Sequence, residues 1–276
     1  MSPARIVALT AGALACFAAN SLLCRAALGA RLVDPATFTS IRIASGAAVL
    51  ALGVVLARRA RPAGGSVASA LALFAYAAAF SFAYVRIGAG VGALLLFASV
   101  QVTMVGWAAF RGVRPGPLQA VGVVVALAGL SWLALPGASA PDPTGAILML
   151  AAGAAWGVYS LRGRAARDPL ATTAHNFLLG APLAVALSAA LARGTSATLG
   201  GIGLAAASGV IASGGGYSLW YAVVPALGAT RAAAVQLAVP VLAGLGATVF
   251  LGEQLTPRIA GAGAAILAGI ALTLRR

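Results

Sequence analysis

The sequence predicts an all-α integral membrane protein: ten transmembrane helices, arranged as two inverted five-helix repeats around a central cavity. Three observations predict it. The 276 residues are 62% hydrophobic and only 8% charged, with a mean hydropathy of +1.02. A soluble domain carries roughly 25% charged residues, so the apolar content points to lipid as the solvent. The apolar residues fall into ten runs, and the runs repeat at a spacing of about 140 residues.

A helix needs about 20 apolar residues to cross the hydrocarbon core. Cutting at Arg, Pro, Gly and Asp clusters places spans at 5–28, 35–57, 66–86, 89–110, 117–135, 143–163, 170–192, 199–224, 229–251 and 257–274. None shows the strict alternation of a membrane barrel, so helices are expected. Arg5, the apolar run after it and Cys16 make a poor lipoprotein signal, because the run continues past Cys16 and has a partner copy later in the chain. Cys16 and Cys24 share one span and give no disulfide framework.

The net charge is +14 and every basic residue is Arg. These arginines sit singly or in short clusters between apolar runs, as topology signals rather than nucleic-acid contacts. With the N-terminus inside, the inner segments hold Arg5, Arg58, Arg59, Arg61, Arg111, Arg114, Arg162, Arg164, Arg167, Arg231, Arg275 and Arg276. The outer segments hold Arg25, Arg31, Arg86, Arg193 and Arg258, and the Arg-free loop 136–142 is also expected outside. The imbalance places both termini in the cytoplasm.

Residues 15–27 align with 154–166: Phe17 meets Trp156, Ser21 meets Ser160 and Arg25 meets Arg164. Farther on, Phe110, Gly112, Pro117, Ala120 and Gly129 meet Phe250, Gly252, Pro257, Ala260 and Gly269. The two halves are therefore 1–138 and 139–276. Five spans is an odd number, so the second half must enter the membrane upside down. Inverted repeats are the usual frame for alternating access around a midplane site.

The second half carries Pro240-Val241, then Gly252-Glu253-Gln254-Leu255-Thr256-Pro257, then a Gly- and Ala-rich last helix with Gly269. The first has Phe17 and Asn20 before Arg25, and Arg42 inside the second span. With these residues the chain resembles the drug/metabolite transporter superfamily in its ten-helix EamA-like form, over essentially its whole length. It departs at Gly112-Val113, where the family often has Gly-Glu, and at Val100-Gln101, where Pro-Val would be expected. The resemblance implies export of amino acids and other small metabolites, and is greatest to the amino-acid exporters.

The polar inventory bounds the chemistry. Asp34, Asp142, Asp168 and Glu253 are the only acids, and all fall at span ends or in loops. No proton relay of carboxylates can be assembled within a span. Without Lys there is no P-loop. One His and two Cys make no zinc site, and no nucleophile triad can be built. No cofactor and no catalytic residue is expected.

Neutral polar and aromatic residues remain. Tyr76, Phe80 and Tyr84 form one stripe on the third span, and Tyr217, Trp220 and Tyr221 another on the eighth. Trp156 and Tyr159 continue the theme on the sixth. Such rings wall a cavity or form an interfacial belt. Asn20 and Gln236 are either site residues or glue between helices. Arg42 either binds a substrate carboxylate, or snorkels or caps nearby carbonyls. His175 reads as an interfacial His rather than a proton carrier. Ser213-Gly214-Gly215-Gly216 is a gate hinge or a close-packing stretch.

The expected substrate-binding set is Asn20, Arg42, Tyr76, Phe80, Trp156, Tyr159, Tyr217, Trp220, Tyr221 and Gln236. The expected function is a secondary transporter of the bacterial inner membrane exporting amino acids or similar small metabolites, down the substrate's own gradient. A drug or other metabolite exporter of the same fold is the alternative, and a non-transporting membrane enzyme or assembly protein the alternative from another class. Expected partners are the small-molecule substrate and membrane lipids, with no nucleic acid. Ten helices can enclose a cavity in one chain, so a monomer is expected to suffice.

Overall fold

In the computed structural model the residues described are 1–57, 62–112, 116–135, 140–164 and 166–274, without the side chains at 193 and 228–231. Arg58, Arg59, Arg61, Arg114, Arg275, Arg276 and most of the loop 136–142 lie outside them. Seven helices come first: α1 (Pro3–Gly29), α2 (Pro35–Leu56), α3 (Val67–Tyr84), α4 (Ala89–Phe110), α5 (Pro117–Ala134), α6 (Pro143–Gly163) and α7 (Pro169–Ala190). The spans α8 (Leu199–Leu227) and α9 (Ala232–Leu251) follow, then the shorter apolar helix α10 (Pro257–Thr273). The first nine are long and apolar enough to cross a membrane. Among the described residues there is no strand beyond one isolated bridge, Val33 to Ala197. The protein is all-α and membrane-embedded, as the composition predicts.

The helix starts are written in the sequence. Asp34, Asp142 and Asp168 accept from Thr37 N, Gly145 N and Ala171 N at 2.9, 2.7 and 3.1 Å, each followed by Pro at the first turn. Ser66, Thr198 and Thr256 do the same for α3, α8 and α10. These caps satisfy amides that lipid could not, and a carboxylate also complements the positive end of the helix. Helix α4 starts after Gly88, which has no side chain to cap with. Glu253, from the turn before α10, supplies the missing acceptor: Ala89 N and Gly90 N donate to it at 2.7 and 3.3 Å, and Arg25 approaches at 3.5 Å. All four acids of the chain are thus placed on helix N-termini.

The helices pack through small residues, as expected where lipid supplies no hydrophobic drive between them. α3 and α4 lie on α6, α2 on α7, α1 on α8 and α9, and α10 on α5. The α5–α10 contact is the closest kind. A Cβ on Gly122 would stand 2.6 Å from Gly269 O and 2.8 Å from Thr273 N, so both backbones touch there. Gly122→Leu should therefore force α10 away and cost about 1–3 kcal/mol of overpacking. Thermal unfolding in detergent should show it as a lower midpoint, while Gly106→Leu, where a Cβ meets nothing within 4 Å, should not.

The eighth span departs from a regular helix. Residues Ser208–Gly215 wind as a π segment between the α-helical runs Leu199–Ala207 and Gly216–Gln236. The glycines expected as a hinge or a packing stretch lie at its end. Gly209 shows why a small residue is needed: a Cβ there would overlap Ser45 Oγ and the carbonyl of Arg42. The π segment thus lies directly on α2, beside Arg42. Both ends of the bundle are tied across helices. At one, Gly65 N and Ser66 N donate to His175 Nδ1 and Asn176 Oδ1 at 3.1 and 3.0 Å. At the other, Arg258 donates to the carbonyls of Trp132, Leu133 and Leu135.

Candidate functional site

A small cavity of about 50 Å³ lies midway along the helices. Seven helices line it: Phe17, Asn20 and Ser21 from α1, Arg42 from α2, Tyr76 and Phe80 from α3, Leu96 and Phe97 from α4, Trp156 from α6, Ala212, Ser213 and Tyr217 from α8, and Gln236 from α9. Seven of the ten residues expected from sequence are brought together here. The expected wall of α3, α6 and α8 is present, but α1, α2, α4 and α9 contribute as well.

The rings form a continuous surface. Trp156 tilts on Tyr76 with centroids 4.7 Å apart and on Tyr217 at 5.8 Å, bridging the α3 and α8 rings. Tyr76 abuts Phe80 at 5.4 Å, and Phe17 meets Tyr217 edge-on at 5.9 Å. Tilted and edge-to-face pairs are the favoured aromatic geometries. These rings are buried among helices, with Tyr76 and Tyr217 each 6% exposed and Phe80 at 0%. The aromatics that face outward are others: Trp107, Phe110, Trp132 and Phe250.

Tyr159, Tyr221 and Trp220 stand behind the lining. The hydroxyl of Thr173, on α7, bonds to those of Tyr221 and Tyr159 at 2.9 and 3.3 Å. Tyr159 stacks on Trp156, and Tyr221 on Tyr217, at 5.4 and 5.8 Å. Both brace the wall and are tied to α7 through Thr173. Trp220 instead packs with Ala13, Leu14, Val223 and Ala243 between α1, α8 and α9. Phe17, Ser21, Leu96, Phe97, Ala212 and Ser213 line the cavity without belonging to the expected set. A signal existed for two of them: the repeat aligns Phe17 with Trp156 and Ser21 with Ser160.

One polar chain runs through the site. Arg42 is 4% exposed and donates from Nη2 to the Tyr76 hydroxyl at 2.9 Å. Asn20 Nδ2 donates to the same oxygen at 3.3 Å, and Ser208 Oγ donates to Asn20 Oδ1 at 2.8 Å. The phenol oxygen has two lone pairs, and both are used as acceptors. Its own proton is left to donate. The Arg42 guanidinium lies over Tyr76 and Phe80, 5.1 and 5.0 Å from their centroids, in cation–π contact. Its Nη1 is buried with no hydrogen-bond partner among the described residues. Among the described residues no cluster of His, Cys, Asp and Glu could hold a metal ion.

The EamA-like transporter family matches residues 143–275, the second half of the chain. The uncharacterized protein PA1977 of Pseudomonas aeruginosa is 51% identical over 99% of this chain and 96% of its own length. The threonine/homoserine exporter RhtA of Escherichia coli K12 is 34% identical over 57% of this chain and 55% of its own, so the alignment spans about half of that exporter. A solved crystal structure superposes with a TM-score of 0.70 over 98% of this chain and 96% of its own at 22% identity, a likeness of fold. With an EamA-like transporter domain over residues 143–275, in a membrane bundle of nine spans and a shorter apolar helix among the described residues, the chain belongs to the EamA-like transporters of the drug/metabolite transporter superfamily, a family of transporters rather than enzymes.

Proposed function

We propose that this transporter exports amino acids and similar small metabolites across the bacterial inner membrane, by alternating access and down the gradient of its substrate. The observation that carries the reading is the cavity's lining: mid-bundle, it is walled by rings and neutral polar groups, with one cation and no acid among the described residues. A drug cation would find no counter-charge there, which favours the metabolite reading over the alternative. The exporter among the relatives supports the direction of transport.

Alternating access rests on the inverted halves, 1–138 and 139–276. The packing has the pattern of a two-fold relation. α2 lies on α7, α4 on α9 and α5 on α10, each helix on its own counterpart. The contact of α3 with α6 is matched by α8 with α1, and α4 with α6 by α9 with α1. Both halves line the cavity. Rocking one half against the other would expose it to each side in turn.

Purified protein in liposomes tests the function. Amino-acid flux should proceed without an imposed pH gradient, because no carboxylate lies within a span to carry a proton. Glu253→Gln should leave flux within about twofold, since a partly exposed ion pair contributes only about 0–1 kcal/mol and a Gln oxygen can still cap α4. A strict requirement for a proton gradient would overturn downhill export, and absence of any flux would overturn transport of these solutes.

Orientation is tested separately. Ser196 is exposed in the turn before α8, at the bundle end opposite the N-terminus. With both termini cytoplasmic, Ser196→Cys in a variant lacking Cys16 and Cys24 should react with an impermeant maleimide on intact cells. Reaction only after permeabilisation would invert the topology.

A further inference from the structure

The geometry points to recognition of the cargo by its carboxylate, held by Arg42 Nη1 and the Tyr76 hydroxyl, with the amine left unread. This inference rests on the transport reading above and names what the cavity selects.

The first support is the state of Arg42. A charge at the centre of a span is costly in lipid, so a guanidinium there is expected to be neutralised or solvated. A snorkelling Arg would reach a helix end. Arg42 does not: it stays on the cavity wall, sandwiched with Tyr76 and Phe80. A purely structural Arg would spend its donors on carbonyls, as Arg25 and Arg258 do in this same protein. Arg42 instead donates to a phenol oxygen and keeps Nη1 buried and without a partner. A buried unmatched donor is destabilising, more so when charged, so its persistence beside a cavity marks it for an acceptor that comes and goes.

The second support is the whereabouts of every acid. Asp34, Asp142 and Asp168 cap their own helices, and Glu253 caps α4. None lines the cavity. The counter-charge for Arg42 must therefore arrive with the cargo. Charge balance selects its kind: one carboxylate neutralises one guanidinium, whereas a phosphate dianion would leave an unmatched negative charge among rings.

The third support is the Tyr76 hydroxyl. Arg42 and Asn20 both donate to its oxygen, which leaves its own proton free to donate from a group already bonded to the Arg42 guanidinium. Two neighbouring donors suit the two oxygens of a carboxylate. An ammonium group would meet only ring faces and the neutral Asn20, Ser21, Ser213 and Gln236. Replacing the amine with a hydroxyl removes no charge contact that the protein supplies.

Two ligand series test this on the full-length wild-type protein. Each contains an amino acid (L-leucine or L-threonine), the hydroxy acid with the same side chain, and the corresponding amino alcohol. Flux from liposomes and thermal stabilisation in detergent are both read. The hydroxy acid should move and stabilise within about threefold of the amino acid, and the amino alcohol at least about tenfold less, the loss of one charge-assisted contact. Arg42→Gln should abolish the difference between acid and alcohol, and Arg42→Lys should reduce it. Should either variant fail to fold, the wild-type series decides without it. An amino alcohol that moves or stabilises as well as the acids would overturn the inference while leaving transport intact. If nothing moves in liposomes, the transport reading fails; stabilisation by the hydroxy acid but not the alcohol would still support the Arg42 site, and stabilisation by neither would overturn it.

Discussion

Trp156→Ala should lower flux per folded molecule by at least about tenfold, and Tyr217→Ala should act in the same direction. Trp156 bridges the rings of α3 and α8, at 4.7 Å from Tyr76 and 5.8 Å from Tyr217. Removing it breaks the continuous wall and widens the cavity toward Tyr159, which stacks behind it. A cargo side chain would lose its broadest apolar contact, worth about 1–3 kcal/mol for a group of one or two methylenes. Trp156 is only partly buried, so the cost to folding should fall below the 3–5 kcal/mol typical of core Trp→Ala changes. The variant should still insert and stay monodisperse. Trp107→Ala is the control: its ring is 48% exposed on the outside of the bundle, and flux per folded molecule should not change. Liposome flux normalised to folded protein measures both. Normal transport by Trp156→Ala and Tyr217→Ala would remove the ring wall from the site.

Most of the spans were legible because lipid demands long apolar runs and self-satisfied backbones. Many of their starts were legible too: a polar cap followed by Pro stands at five of the ten entries. Where the cap comes from elsewhere, sequence is blind. Glu253 reads as an acid in a turn, and nothing local says that Gly88 leaves α4 uncapped for it to complete. The gap at Gly88 was the only available hint.

The site was legible as a set of residue types more than as a surface. Tyr217, Trp220 and Tyr221 follow helical spacing, so one stripe was expected. With 3.6 residues per turn, Trp220 falls about 60° to one side of Tyr217 and Tyr221 about 40° to the other. That is enough to send Trp220 toward α1 and α9, and Tyr221 toward Thr173. The π winding just before Tyr217 sets which residue faces inward, and periodicity carries no record of it. Phe17 was missed although the repeat pairs it with Trp156. Both line the cavity, so the repeat held as much of the site as the aromatic stripes did. Arg42 was visible as a mid-span cation, but the unmatched Nη1 is a fact of packing alone.

Asn20 separates helix glue from site residue, and its variants should show large effects of opposite kinds. Asn20 connects α1 to α3 through Tyr76 and to the π segment through Ser208. Hydrogen bonds between membrane helices average about 0.6 kcal/mol. Asn20→Leu, which loses two, should cost only about 1 kcal/mol of stability. Its effect on transport should be larger, about tenfold, because the Tyr76 hydroxyl loses a donor that holds it beside Arg42. Asn20→Asp should go further. A carboxylate there would lie next to the same phenol oxygen that Arg42 donates to. It would supply from within the counter-charge that the cargo otherwise brings. Folding should be maintained or improved, since a buried cation gains a partner, while flux of carboxylate-bearing solutes should be nearly abolished. Glue predicts the reverse order: a fall in stability and unchanged flux per folded molecule. Thermal unfolding and liposome flux on the same preparations measure the two together, and an Asn20→Asp protein that transports amino acids at the wild-type rate would leave Arg42 without a role in binding.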